Sequence, residues 1–267
     1  MRALALHPDV IVLVSDIWQT TCTAVRAGDE GFVIDSPVYP EELRALPQVL
    51  EQAGFPVSGL LTTHGDWDHL LGRTAFPDTA LGCGEPTAAR LAGEPGDAQR
   101  ELRQFDAEHY VDGRPPLTLG SLQPLPVPGR VSLGSGPSER ELELHGADGH
   151  TEDGTAYWLA WARVLVCGDY LSPVEIPMLS EGGSIDAYRA TLARLATLVE
   201  QAEWVVPGHG APVPAQRSAE LLAQDCAYLA ELTSRGSAAT LPGTRTDAFQ
   251  RQIHESNVAL VGARPEP

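Results

Sequence analysis

The chain has 267 residues, 43% of them hydrophobic, which suits one large domain with its own core. Its formal net charge is −18, with no lysine and no arginine-rich run; this argues against a nucleic-acid partner, because phosphate contacts need clustered cations. No apolar stretch approaches the roughly 20 residues that cross a bilayer, and Met1–Pro8 lacks the charged start and apolar core of a secretory signal, so a cytoplasmic location and no membrane partner are expected.

In chain order, strands are predicted at 10–15, with Val10–Val14 as the first, then at 20–27 and 31–35. Pro40 opens a helix, since proline suits the first turn and Glu41 and Glu42 favour its positive end. Pro47 is expected to kink or restart that helix, and Gly54 to stop it. A strand over 57–63 follows, then a short one over 79–83 and a broken helical region over 85–112. Short strands between Pro and Gly turns fill 117–143, and residues 157–162 and 164–167 read as a hairpin. Residues 184–201 form a helix with an apolar stripe at Tyr188, Leu192, Leu195, Leu198 and Val199. Residues 204–206 form a strand and 214–235 a second amphipathic helix; the tail 238–267 has no firm assignment. With no repeat and no linker, residues 1–267 read as a single domain carrying a C-terminal helix and tail from about 211. Cys22, Cys83, Cys167 and Cys226 are scattered without a Cys-x-x-Cys pair and are expected to be reduced and buried.

The strand over 57–63 runs into His64-Gly-Asp-Trp-Asp-His69, where His64, Asp66, Asp68 and His69 bring four imidazole and carboxylate groups into six residues. These groups suit borderline cations such as zinc or ferrous iron. An ordinary turn also uses His and Asp, but the pattern recurs. Glu141–Thr151 holds His145 and His150, Val164–Asp169 ends in Gly-Asp, and Trp204–Gly210 contains Gly-His209-Gly. Glycine beside each ligand type lets the backbone turn tightly and approach an ion. Four such segments suggest a site assembled from strand ends.

These motifs resemble, in order, those of the metallo-β-lactamase-fold superfamily of hydrolases: an early Asp (Asp35), the metal loop (His64–His69), Gly149-His-Thr151, Gly168-Asp169 and Gly208-His209. The resemblance implies an α/β fold, an αββα sandwich of two mixed β-sheets flanked by helices. It assigns His64, residue 66 and His150 to a first metal, Asp68, His69 and His209 to a second, and Asp169 to a bridge between them. Asp35 would orient a ligand histidine. His145, at the end of an alternating strand, either orients a ligand or is an ordinary strand histidine. Most of the superfamily has histidine where this chain has Asp66, whereas its flavodiiron members also have a carboxylate there. The carboxylate makes the first site harder, so the two expected divalent ions are zinc first, with iron or manganese as alternatives.

By the same resemblance the protein is a metal-dependent hydrolase, in which a hydroxide activated by a dinuclear centre attacks a small ester, thioester or lactone. Asp68 would serve as the catalytic group that orients the nucleophile. Residues 16–21, Trp67, 85–115 and the loop 170–183 are expected to wall the substrate pocket, and Pro173, Ile176, Pro177 and Met178 either line it or pack the loop onto the sheet. Two alternatives remain: an iron-dependent oxidoreductase, suggested by Asp66 but without a flavodoxin-like module after Gly210, and a non-catalytic metal-dependent sensor.

Overall fold

The computed structural model describes residues 1–262. One sheet contains, in spatial order, β1 (Arg2–His7), β2 (Val10–Val14), β3 (Thr21–Ala27), β4 (Glu30–Ile34), β5 (Gly59–Leu61), β6 (Leu81–Gly84) and β7 (Leu122–Leu125). The other contains β8 (Gly129–Leu133), β9 (Arg140–Gly146), β10 (Thr155–Leu159), β11 (Val164–Val166), β12 (Trp204–Val206) and β13 (Val213–Pro214), in the order β13-β12-β11-β10-β9-β8. Both sheets are mixed: β4 to β7 are parallel neighbours in the first, and β11 and β12 in the second. The helices are α1 (Pro40–Gln52), α2 (Gly72–Ala75), α3 (Glu85–Gly93), α4 (Asp97–Glu108), α5 (Ile185–Val199), α6 (Ala215–Arg235) and α7 (Ala248–Gly262).

Side-chain alternation explains the layering. In β2, Val10, Val12 and Val14 face a core shared with Leu144, Tyr157 and Val166 of the second sheet, whereas Ile11 and Leu13 pack with Leu46 and Leu50 of α1. In β10, Tyr157 and Leu159 face the first sheet, while Ala156 and Trp158 join Leu192, Leu195, Leu221 and Leu229 of α5 and α6. Strands buried on both faces read as continuous apolar runs, and the result is an αββα sandwich. Among the described residues no helix is long and apolar enough to cross a membrane.

Three local expectations are corrected. The first strand is Arg2–His7, paired antiparallel with β2, not Val10–Val14. It is an edge strand whose side chains stay largely exposed, so it lacks an apolar run to reveal it. Pro47 lies inside an unbroken α1. Cys226 is exposed, because α6 turns Asp225, Tyr228 and Leu229 inward instead.

The tail adds α7, and its role is to hold a loop. Arg245, Gln250 and Asn257 are all buried. Arg245 Nη1 donates to the Ser172 and Glu175 carbonyls at 3.1 and 2.8 Å. The Ile176 N–H donates to Gln250 Oε1 and the Leu179 N–H to Asn257 Oδ1, both at 2.8 Å, while Asn257 Nδ2 donates to the Pro177 carbonyl at 2.7 Å. Buried polar side chains need partners, and here the backbone of 172–179 supplies them.

Candidate metal centre

The parallel pairs β4/β5 and β11/β12 all end at one edge of the sandwich, the position at which open α/β sheets bind ligands. Asp35, the His64 loop, Asp169 and His209 follow those four strand ends. The two sheets are tied together there, with Thr155 N–H donating to the Thr63 carbonyl at 2.7 Å and Thr21 N–H to the Gly208 carbonyl at 2.8 Å.

Two groups of donors converge. His64, Asp66 and His150 form one: Asp66 Oδ2 lies 3.6 Å from His64 Nε2 and 3.3 Å from His150 Nε2. Asp68, His69 and His209 form the other, with Asp68 Oδ2 3.6 Å from His69 Nε2 and 3.5 Å from His209 Nε2. Asp169 touches both. Its Oδ2 is 3.3 Å from His150 Nε2 and from His209 Nε2 and 3.8 Å from His64 Nε2, and its Oδ1 is 3.3 Å from His69 Nε2. Within each trio the donor atoms lie within 4.8 Å of one another, and the buried His64 Nε2, His69 Nε2 and Asp169 Oδ1 have no hydrogen-bond partner in the protein. Unsatisfied buried donors of these types, aimed at common points, fit divalent cations.

The far side of three of the four rings has a hydrogen-bonding neighbour (His64 Nδ1 lies 3.0 Å from Thr63 Oγ1), and that of His69 faces a carboxylate. His150 Nδ1 donates to the Met178 carbonyl at 2.9 Å, which makes Nε2 the nitrogen that would bind an ion. His69 Nδ1 lies 3.1 Å from Asp35 Oδ2, and His209 Nδ1 lies 3.3 Å from the Trp18 carbonyl. Asp35, at a φ of 59°, is fixed by Thr63, whose N–H and Oγ1 donate to it at 2.7 and 2.9 Å. Gly208 is required by close approach: a Cβ there would lie 1.9 Å from Asp169 Oδ1.

The charge balance is that of a site built for cations. Burial opposes protonation of His150 and His209, but Asp169 and its fellow carboxylates outweigh it and raise them to about 9 and about 10. For Asp66 and Asp169 burial acts the other way, and the surrounding histidines overcome it, holding both carboxyls well below their ordinary range. A divalent ion would replace those protons.

His145 is not brought to the cluster. It lies on β9, with its Nε2 3.5 Å from Glu143 Oε2. Three residues that the sequence did not single out do reach the site. Arg90 of α3 holds Asp66 Oδ1 at 2.8 Å and the buried Asp153 Oδ1 at 2.9 Å, and Asp153 Oδ2 accepts from the Gly65 N–H at 2.9 Å. Glu175 groups with Asp169 and His209, its carboxyl raised first by burial. Nothing in the spacing of Arg90 or Glu175 marks them; only Asp153, just beyond Gly149-His-Thr151, stood near a motif.

Above the cluster opens a cavity of about 520 Å³. Trp18, Trp67 and Phe249 give it an apolar side, while Glu94, Asp97, Glu101, Glu152 and Glu181 line the rest; among the described residues Arg90 is the one basic side chain there besides His150 and His209. Of the apolar residues in the loop 170–183, Met178 lines the cavity, whereas Ile176 packs into the core behind it.

The fold and the donor set define a class, and comparison with known proteins agrees. The family model of the metallo-beta-lactamase superfamily matches residues 15–209, and the chain belongs to that superfamily. A hydroxyacylglutathione hydrolase of Rhodospirillum rubrum is 28% identical over 184 residues, covering 69% of this chain and 58% of that protein, so the match spans little more than half of the relative's length. Among solved structures, the metallo-beta-lactamase family protein TTHA1429 of Thermus thermophilus superposes with a TM-score of 0.65 at 21% identity, covering 86% of this chain and 83% of its own. TTHA1623 in a di-iron-bound form gives 0.60 at 19% identity, covering 78% and 96%.

Proposed function

We propose that the protein is a metal-dependent hydrolase of a small ester, thioester or lactone. The observation that carries this reading is the cavity of about 520 Å³ floored by Asp66, Asp68, His150, Asp169 and His209. His64, Asp66 and His150 would hold one divalent ion, Asp68, His69 and His209 the other, and Asp169 both. Such ions supply a water of lowered pKa and polarise a carbonyl. Asp68 faces the cavity, so its carboxylate orients the attacking water and can return a proton to the leaving group. The histidines turn Nε2 inward, with Nδ1 facing a polar group on the far side, and the indoles of Trp18 and Trp67 give the cavity above the floor an apolar wall. The R. rubrum relative supports hydrolysis as the reaction class. Six wall carboxylates (Glu175 with the five named above) against one arginine disfavour an anionic leaving group such as glutathione, so the reading does not extend to that relative's substrate.

Purified protein is expected to carry one to two equivalents of transition metal, and His64→Ala or His209→Ala to lower that content. Chelation should abolish turnover on a panel of esters, thioesters and lactones, and metal should restore it. Full metal content in both variants, or hydrolysis that survives chelation, would overturn the reading.

Asp66 supports a second reading, iron-dependent oxidation, since a carboxylate favours a harder ion. Arg90 works against it: a guanidinium 2.8 Å from Asp66 Oδ1 offsets the added charge and leaves Oδ2 as a weaker donor. Asp66→His should retain metal, raise the zinc-to-iron ratio after expression in mixed-metal medium, and change turnover rather than fold. Metal analysis with oxygen-uptake measurements separates the two readings. Substrate-dependent oxygen consumption by the iron-loaded enzyme would decide for oxidation.

A further inference from the structure

The backbone of the loop from Ser172 to Leu179 is held by the buried side chains of Arg245, Gln250 and Asn257. Glu175 is held at both backbone ends: its N–H donates to Ser172 Oγ at 2.9 Å, and its carbonyl accepts from the buried Arg245 at 2.8 Å. Arg245 belongs to the segment beyond residue 209, outside the region that the superfamily model matches. This anchoring sets the Glu175 side chain beside Asp169 and His209, and one donor atom from each of the three lies within 4.8 Å of the others. Among the described residues no ion pair involves the Glu175 carboxylate; Arg90 is engaged with Asp66, Asp153 and Glu94, and Arg245 with Asp225. Two carboxylates at such a separation repel each other in a poorly solvated site, and a divalent cation between them turns that repulsion into attraction.

We propose that Glu175 is a further metal ligand, an eighth donor on the side of Asp68, His69 and His209, delivered by the loop that the C-terminal segment clamps. The proposal rests on the metal centre described above. With Glu175 the second position would have five protein donors, three of them carboxylates. That set suits a five- or six-coordinate ion better than the tetrahedral arrangement of structural zinc. It also gives the C-terminal segment a function, since releasing its hydrogen bonds would withdraw a ligand.

The test uses the full chain stripped of metal and titrated with zinc and with cobalt(II), whose visible bands intensify as coordination number falls. Glu175→Gln keeps the size of the side chain and removes its charge. It is expected to weaken binding of the second equivalent about tenfold or more and to intensify the cobalt bands. Glu152→Gln and Glu181→Gln, on the same cavity wall, remove equal charge at a distance and should leave both readouts unchanged. Urea unfolding of the metal-free proteins checks that all three variants fold. Wild-type affinity and spectrum in Glu175→Gln would overturn the proposal while leaving the hydrolase reading intact. Equal weakening in the three variants would also overturn it, since the effect would then belong to the general field. A wild-type chain that takes up no metal would overturn both.

Discussion

Asp169→Ala is expected to eliminate hydrolysis, by at least about a thousandfold, and to cost the protein both metals rather than one. The carboxylate lies within 3.8 Å of the Nε2 atoms of all four clustered histidines, so it is the side chain on which the two donor groups meet. Removing it leaves four imidazoles facing one another and takes away the one carboxylate that lies close to all of them; Asp66 then serves only the His64/His150 pair, and Asp68 and Glu175 only the other. Protons, or simple spreading of the rings, then compete better with a cation. Cys167→Ser is the matched control two residues away: its Sγ donates to the Tyr170 carbonyl at 3.2 Å, and the site does not use it. That change should leave metal content intact and reduce turnover only modestly. Metal analysis and initial rates on equal folded fractions, verified by circular dichroism, make the comparison. Similar small losses in the two variants would remove Asp169 from the centre of the site.

The largest effect on stability is expected from Arg245→Ala. Arg245 Nη2 lies 2.7 Å from Asp225 Oδ1, and both side chains are buried. Truncating one partner of such a pair strands the other charge and typically costs about 3–5 kcal/mol. The Ser172 and Glu175 carbonyls lose their donor in the same step. The loss should depend on pH in a definite direction. Burial lifts the Asp225 carboxyl to about 7 even with Arg245 pulling it down. A carboxyl raised on folding contributes stability in its protonated form at low pH, and that contribution is lost as pH rises through the folded-state value. Without Arg245 the carboxyl rises further, so the variant should be much weaker than wild type at pH 8 and closer to it at pH 5, where Asp225 is protonated in both. Asp225→Asn in the Arg245→Ala background should recover part of the deficit at pH 8. Urea unfolding of the metal-free proteins at the two pH values measures this, and a cost independent of pH would show that the pair is not the source.

Elements whose information is local are legible in the amino-acid sequence. Val10–Val14, Val164–Val166 and Trp204–Val206 are apolar on both faces, so their burial shows without any partner being known. The donors in the His64–His69 loop and the Gly-His and Gly-Asp pairs also stand out locally, because short spacing and an adjacent glycine are properties of a few consecutive residues. What depends on distant segments meeting became visible in the folded chain. Arg90 matters because α3 carries it to Asp66 and Asp153, and Glu175 because Arg245, 70 residues later, holds its carbonyl. Arg245, Gln250 and Asn257 look like surface residues of a polar tail, yet they are buried, because their hydrogen-bond partners are backbone groups of another loop. The same holds in reverse for Arg2–His7, an edge strand that buries too little to announce itself and is defined by its pairing with β2. Apolar periodicity reports burial against whatever lies opposite, whereas a polar side chain acquires its role only from the particular group that it meets.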